Sequence, residues 1–474
     1  QIDTNWKLGL IGRNGRGKTT FLKLLMGQIP YQGTITAPNG FSYFPFQVYD
    51  CTQMTYSVIE KLVPALELWQ LQRELSLLET DDSLLWRPFD TLSPGEQTKV
   101  LLASLFLQED QMLLIDEPTN HLDQHARQIV GQYLEQKRGF ILVSHDRTFL
   151  DSCIDHVLSI QKKNIVVQKG NYSSWQREKA HRDHQELQQS AKLKKEIRQM
   201  QASARRLSDW SGAAETEKHS RTSGLRPDRG FLGHKAAKIM KRSKIITVRQ
   251  EEAIEEKSRL LRDLDTTPPL TIPVQTYDQA TLLRVEGVAV SYGGRQVCEP
   301  VSFTVQRGDR VALCGSNGCG KSSLLKLMMG QPLDHCGTVS IGSGVRIAYV
   351  PQDTRTLSGS LRSYAKKEEI DETRLFTILR KMDFPRTQFE KDIRSFSEGQ
   401  KKKVLLAASL CQRAHLYLWD EPLNYIDIFS RMQLEELILR DQPAMVLVEH
   451  DSTFCHTVAT KEILLTPRHY ETEP

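Results

Sequence analysis

Apolar residues fall along this chain in two spacings. Short continuous runs, "WKLGLI" (6–11), "QMLLIDE" (111–117), "GFILVSHD" (139–146), "DRVALC" (309–314) and "PAMVLVEHD" (443–451), end in polar residues. They predict strands buried on both faces, as in a parallel sheet. "FLKLLMG" (21–27) and "SLLKLMMG" (323–330) have helical spacing and stop at Gly27 and Gly330. A longer helical pattern lies between: Leu187, Ala191, Leu193, Ile197, Met200, Ala204, Leu207 and Trp210, then Ile239, Ile246, Ile254 and Leu261, before Pro268-Pro269. It predicts two long helices in an antiparallel hairpin, with an irregular tip near 212–234. The longest apolar runs, such as Leu101–Leu107, are too short to span a bilayer.

The strand-and-helix pattern occurs twice. "GRNGRGKTT" (12–20) returns as "GSNGCGKSS" (315–323), and "LSPGEQ" (92–97) as "FSEGQ" (396–400). "LLIDEPTNHLD" (113–123) returns as "LYLWDEPLNYID" (416–427), and "VSHD" as "VEHD". The offset is 303 to 305 residues throughout, so the chain is a tandem duplication with an insert. Each copy reads as an α/β domain, and ligands of such sheets bind at the carboxyl ends of the strands. The expected boundaries are 1–170, 171–268 and 280–474.

Charge changes the picture only in the insert. The 474 residues carry a net +5, but Gln188–Gln250 holds 16 Lys/Arg against 5 Asp/Glu. Lys235, Lys238, Lys241, Arg242 and Lys244 form a basic stripe with few aromatics. That suits nucleic-acid backbone contact with salt-dependent affinity, the bland alternative being a solvated coiled-coil surface. The eight cysteines show neither pairing nor metal-ligand spacing, as in a reduced cytoplasmic protein.

Gly12, Asn14, Gly15, Gly17, Lys18, Thr19 and Thr20 form a phosphate-binding loop, and Gly315, Asn317, Gly318, Gly320, Lys321, Ser322 and Ser323 form a second. Their glycines let backbone N–H groups turn toward phosphates, the lysines supply charge, and Thr19 and Ser322 can ligate Mg²⁺. Asp116 and Asp420 end apolar strands where a carboxylate can hold Mg²⁺. Glu117 and Glu421, expected on the other face of the strand end, are the candidate general bases; the alternative is an acidic pair capping a helix. His145 and His450 are placed to hydrogen-bond a γ-phosphate, and Gln47 and Gln352 to reach Mg²⁺ or the attacking water. Cys319, inside the second loop, is expected to make the ATPase sensitive to thiol reagents.

This motif order resembles that of ATP-binding-cassette ATPases, with "LSPGEQ" and "FSEGQ" as the signature. The resemblance implies two P-loop ATPase domains meeting head to tail. Ser397 and Gly399 would complete the site of Lys18, and Ser93 and Gly95 that of Lys321, with ATP and Mg²⁺ bound and Tyr292 stacked on adenine. Pro94 and Glu398 depart from the signature's middle glycine, and Tyr425 stands where the first copy has His121. Only 11 residues precede Gly12, against 33 from Leu282 to Cys314, so about 20–30 residues of lead, with any stacking aromatic, are expected to be missing.

Two cassettes joined by a basic hairpin are similar to the ABC-F translation factors. "KAAKIMKRSK", "LWRPFDTLSPGEQTKVLLASLF" and "LYLWDEPLNYIDIF" are closest to its Lsa-type antibiotic-resistance branch. The resemblance implies a monomer that closes on ATP at the ribosomal exit site, its linker reaching large-subunit rRNA and P-site tRNA. It implies protection against lincosamides, pleuromutilins and group A streptogramins, with a linker tip near Leu225–Gly233 disturbing the drug site; the tip's alternative is a plain connector. The competing functions are a housekeeping ABC-F factor, an importer's tandem ATPase subunit and, less favoured because zinc-ligand cysteines are absent, a DNA-repair ATPase.

Overall fold

A computed structural model describes residues 2–37, 40–64, 66–108, 111–120, 122–160, 164–217 and 270–468. The chain divides into a unit of Gln1–Trp175 with Pro268–Pro474, which holds both copies, and a unit of Gln176–Thr267.

The first copy contains β1 (Lys7–Ile11), β2 (Gly40–Phe44), β3 (Gln111–Asp116), β4 (Phe140–Val143), β5 (His156–Ile160) and β6 (Ile165–Lys169). They form one sheet in the order β2-β3-β4-β1-β5-β6, parallel except for β6. The second copy begins with β7 (Thr281–Tyr292), β8 (Arg295–Gln296) and β9 (Val301–Gln306), continues with β10 (Arg310–Cys314), β11 (His335–Ile341) and β12 (Ile347–Val350), and ends with β13 (Leu416–Asp420), β14 (Met445–Val448) and β15 (Lys461–Leu464). Its parallel sheet runs β12-β13-β14-β10-β15, the same order as β2-β3-β4-β1-β5. Strands β7, β8, β9 and β11 make a separate antiparallel sheet, which has no equivalent among the described residues of the first copy.

The continuous apolar runs are central strands because helices cover both faces of each parallel sheet. Every residue of β4, β13 and β14 is buried. Trp419 is fully buried in β13, and its indole N–H donates to Ser409 Oγ at 3.1 Å, so even this large side chain leaves no polar atom unpaired. Each signature opens a helix, Pro94–Leu105 and Glu398–Cys411, that is buried over its C-terminal part, from Val100 and from Lys402. Both helices start with a capping box, in which Ser93 pairs with Glu96 and Ser397 with Gln400.

The two copies face each other. Thr148 Oγ1 lies 2.8 Å from Thr453 Oγ1, and these are repeat counterparts, so the pseudo-two-fold axis passes between them. Beside them, Arg147 Nη1 donates to Glu435 Oε2 at 3.0 Å, with both side chains buried. Trp175 is buried against the first core and meets Phe429 of the second copy edge-on.

The long insert helix starts at Tyr172 and runs to Glu217. It continues past 212, where the sequence pattern had placed the irregular tip. Lys235, Lys238, Lys241, Arg242, Lys244, the rest of the expected tip and the second arm of the hairpin lie outside the described residues.

Candidate nucleotide sites

Each phosphate loop joins a parallel strand to a helix. The helices Lys18–Leu25 and Lys321–Met328 begin directly after Gly17 (φ 86°) and Gly320 (φ 91°), where the left-handed backbone favours glycine. Lys18 Nζ donates to Gly12 O at 2.8 Å and Asn14 Oδ1 at 3.2 Å. Lys321 Nζ donates to the carbonyls of Gly315 at 2.9 Å and Ser316 at 2.8 Å. Both ammonium groups are thus held over the loop hollow, and burial lowers the Lys18 pKa. Cys319 corrects one expectation. It is 1% exposed beneath the loop, and burial pushes its thiol up, so it is neither reachable nor activated for a thiol reagent.

Thr19 Oγ1 donates to Asp116 Oδ2 at 3.2 Å, and Ser322 Oγ donates to Asp420 Oδ1 at 2.9 Å. Burial raises both aspartates, Asp420 to about 6. Asp420 Oδ2 is buried and has no hydrogen-bond partner among the described residues. A desolvated carboxylate with an open oxygen beside a hydroxyl is a donor set that fits Mg²⁺. Tyr43, which sequence reasoning did not single out, donates its hydroxyl to Asp116 at 3.0 Å.

Glu117 and Glu421 follow these strand ends with φ of 54° and 46°. Left-handed backbone at a non-glycine residue costs on the order of 1–3 kcal/mol and persists only where surroundings enforce it. Here the next strand enforces it: Glu117 N donates to Val143 O at 2.8 Å and Glu421 N to Val448 O at 2.9 Å. The carboxyls turn toward the histidines, with His145 Nε2 3.2 Å from Glu117 Oε1 and His450 Nε2 3.5 Å from Glu421 Oε1.

Beyond this shared plan the sites differ. Around Glu421, Asn424 Nδ2 donates to Oε2 at 2.6 Å, and Gln352 and His450 also hydrogen-bond the carboxylate. Burial pushes Glu421 up, but the bonds from His450 and Gln352 and the His450 charge outweigh it and hold it at about 2. Glu117 is pushed up, by burial first and by Asp116 beside it, and its Oε1 meets the His145 ring at 3.2 Å without, among the described residues, the amide donors that Glu421 has.

Strand register explains the missing partner. Phe44 pairs with Ile115 as Val350 pairs with Trp419, which makes Pro45 equivalent to Pro351 and Phe46 equivalent to Gln352. Gln47 is therefore one position beyond the expected place, and its Oε1 accepts from the Tyr49 hydroxyl at 3.2 Å. The first copy has an apolar residue where the second has the glutamine.

The second site opens as a cavity of about 1000 Å³ between the copies. It is lined by Asn317, Gly318, Gly320, Lys321, Ser322 and Ser323 of the loop, by Gln352, Glu421 and His450, and by Tyr292. Ser93 and Gly95 close it from the first copy. Tyr292 is 51% exposed, with its hydroxyl 2.7 Å from Ser323 Oγ of the loop. At the first site Asn14 Nδ2 donates to Tyr425 O at 2.8 Å across the interface. Gly399 packs there so closely that an added Cβ would lie 2.5 Å from Tyr425 O and 3.2 Å from Asn14 Nδ2. Asp427, buried and held well below the usual carboxylate range chiefly by Lys403, contributes to the field at Lys18.

The ABC transporter family model matches residues 1–120 and 298–424, and an extension model of the same description matches 158–225. The chain belongs to the ABC-F family of ATP-binding-cassette ATPases. ABC-F relatives span nearly all of it. It is 28% identical over 472 residues to the ribosome protection protein VmlR of Bacillus subtilis, covering 97% of this chain and 81% of that one. It is 26% identical to the probable ATP-binding protein YheS of Escherichia coli K12, covering 95% and 73%. Among solved structures, an archaeal ribosome recycling factor, aABCE1, in complex with the ribosomal stalk protein aP1, superposes with a TM-score of 0.62 at 19% identity. It covers 98% of this chain and 84% of that chain, and the likeness is one of fold. As an ABC-F ATPase the chain hydrolyses ATP, and none of its described helices is long and apolar enough to cross a membrane.

Proposed function

We propose that this ATPase binds the ribosome in its ATP-closed form and protects it by displacing antibiotics from the peptidyl-transferase centre. Lincosamides, pleuromutilins and group A streptogramins are the expected classes. The observation that carries the reading is the likeness, over 97% of this chain, to a ribosome protection protein in a chain whose insert holds 16 basic against 5 acidic residues between Gln188 and Gln250. The basic stripe Lys235–Lys244 would lie against rRNA or P-site tRNA, drawn by phosphate charge.

In this reading Lys18 and Lys321 exchange their loop carbonyls for β- and γ-phosphates. Thr19 with Asp116, and Ser322 with Asp420, would hold Mg²⁺, whose charge stabilises the phosphoryl group in flight. Glu117 and Glu421 orient the attacking water, and His145 and His450 hydrogen-bond the γ-phosphate. Ser93–Gly95 and Ser397–Gly399 cap the phosphates across the interface, so closure needs ATP and hydrolysis undoes it. Tyr292 stacks on adenine.

The test is Glu117→Gln with Glu421→Gln. With ATP the double variant is expected to co-sediment with ribosomes and to turn over at least about 100-fold more slowly, in keeping with the loss of a positioned general base at each site. Unchanged sedimentation with and without ATP would refute ribosome binding by the closed form. The likeness to ATP-binding proteins such as YheS favours a second reading, a translation factor without resistance activity. Expression in a susceptible host separates the two, since only the first reading raises the drug concentration tolerated.

A further inference from the structure

We propose that Glu449 is a positioning residue that couples the two nucleotide sites, binding His450 of the second site and the loop that reaches the first site into one body. The inference rests on the assignment of Glu421 and His450 to γ-phosphate chemistry.

Glu449 directly follows β14 and is buried. Its Oε1 accepts the backbone N–H of His450 at 2.8 Å, and its Oε2 accepts the backbone N–H of Leu423 at 3.1 Å. Leu423 lies on the loop after β13. Two residues further, Tyr425, with φ 63°, presents the carbonyl that takes Asn14 Nδ2 of the first phosphate loop. Two more residues on, Asp427 caps the helix Ile428–Asp441 and pairs with Lys403 at 2.9 Å. A single carboxylate therefore spans the second site's histidine and the segment that the second copy inserts at the first site.

Its buried charge is compensated. Arg431, beside it, donates from Nη2 to Leu423 O at 3.0 Å and from Nη1 to Asp451 at 2.8 Å. Lys402 acts on it from the signature helix while donating to Pro351 O at 2.9 Å, directly before Gln352. At the two equivalent positions the first copy has neither group. The counterpart of Glu449 is Ser144, whose hydroxyl lies 3.2 Å from Thr119 Oγ1 and accepts Asp146 N at 3.2 Å. The counterpart of Lys402 is Thr98, which bonds back to Pro94 O of its own helix. Hydrogen bonds to an ionised acceptor are roughly twice as strong as neutral ones, so the tie is stiff in the second copy and loose in the first. A shift of His450 on arrival or departure of a γ-phosphate is passed to Leu423, and from there to the Tyr425–Asn14 contact.

The experiment uses the full chain in two backgrounds. In Glu421→Gln the second site binds ATP and the remaining turnover is the first site's. There, Glu449→Ser is expected to change that turnover about fivefold or more, the lower end of usual coupling between sites. In Lys321→Ala, which empties the second site, Glu449→Ser is expected to change nothing. Glu449→Gln, which keeps one acceptor oxygen, is expected to restore part of the coupling and to fold even if the serine variant does not. An equal effect in both backgrounds, or none in the first, overturns the proposal. Release of a fluorescent ATP analogue from the first site, with and without Lys321, reads the same coupling without hydrolysis. Undiminished turnover in Glu421→Gln would count against the Glu421 assignment alone.

Discussion

Glu117 and Glu421 occupy one place in the repeat and sit in opposite environments. Glu421, held at about 2 against an ordinary 4.5, contributes stability that is fully present above pH 4.5 and lost as pH falls from there toward 2. The shift corresponds to about 3 kcal/mol at most. Glu117 is raised, so its ionisation costs stability as pH climbs above 4.5. In the nucleotide-free protein, denaturation midpoints across pH are expected to show Glu421→Gln less stable than the parent near neutrality, the gap closing in acid. Glu117→Gln is expected to show the reverse, gaining on the parent as pH rises. Both glutamates were legible in the sequence because the repeat aligned them. Their environments were not, because Gln352 and His450, which bond Glu421, arrive from the ends of other strands. A one-residue difference between "YFPFQ" and "YVPQ" was enough to move Gln47 out of place, and only strand pairing reveals it.

Among the elements, the helix after His145 and the helix after Asp427 carry the buried Arg147–Glu435 pair across the interface. Removing one partner strands a buried charge, which typically costs about 3–5 kcal/mol, whereas replacing both with apolar residues is often neutral. Arg147→Met is accordingly expected to lower the unfolding midpoint in urea strongly, and Arg147→Met with Glu435→Leu to recover most of it. Equal losses in the single and double variants would mean the pair contributes packing alone. The strands, the phosphate-loop helices and the signature helices could be read from hydrophobic spacing and capping residues such as Ser93 and Ser397. The ion pair could not, since its counterparts in the repeat are Ser452 and Gly131, and no periodicity marks it.

For the whole molecule, sequence repetition alone carried the two-cassette plan, and the charge count carried the expectation of a polyanionic partner. Changing Lys235, Lys238, Lys241, Arg242 and Lys244 to Gln is expected to weaken ribosome co-sedimentation and to flatten its salt dependence. The slope should fall by about one unit for each of these side chains that neutralises a phosphate. An unaltered slope would place the nucleic-acid surface elsewhere. The meeting of Thr148 with Thr453 has a consequence of its own. In a dimer of identical chains every substitution at that contact would appear on both sides at once, and no interface charge could lack its mirror image. Because the halves are one polypeptide, each side is free to drift separately, and Arg147 opposite Glu435 records a step that a symmetric dimer could not have taken on one side only.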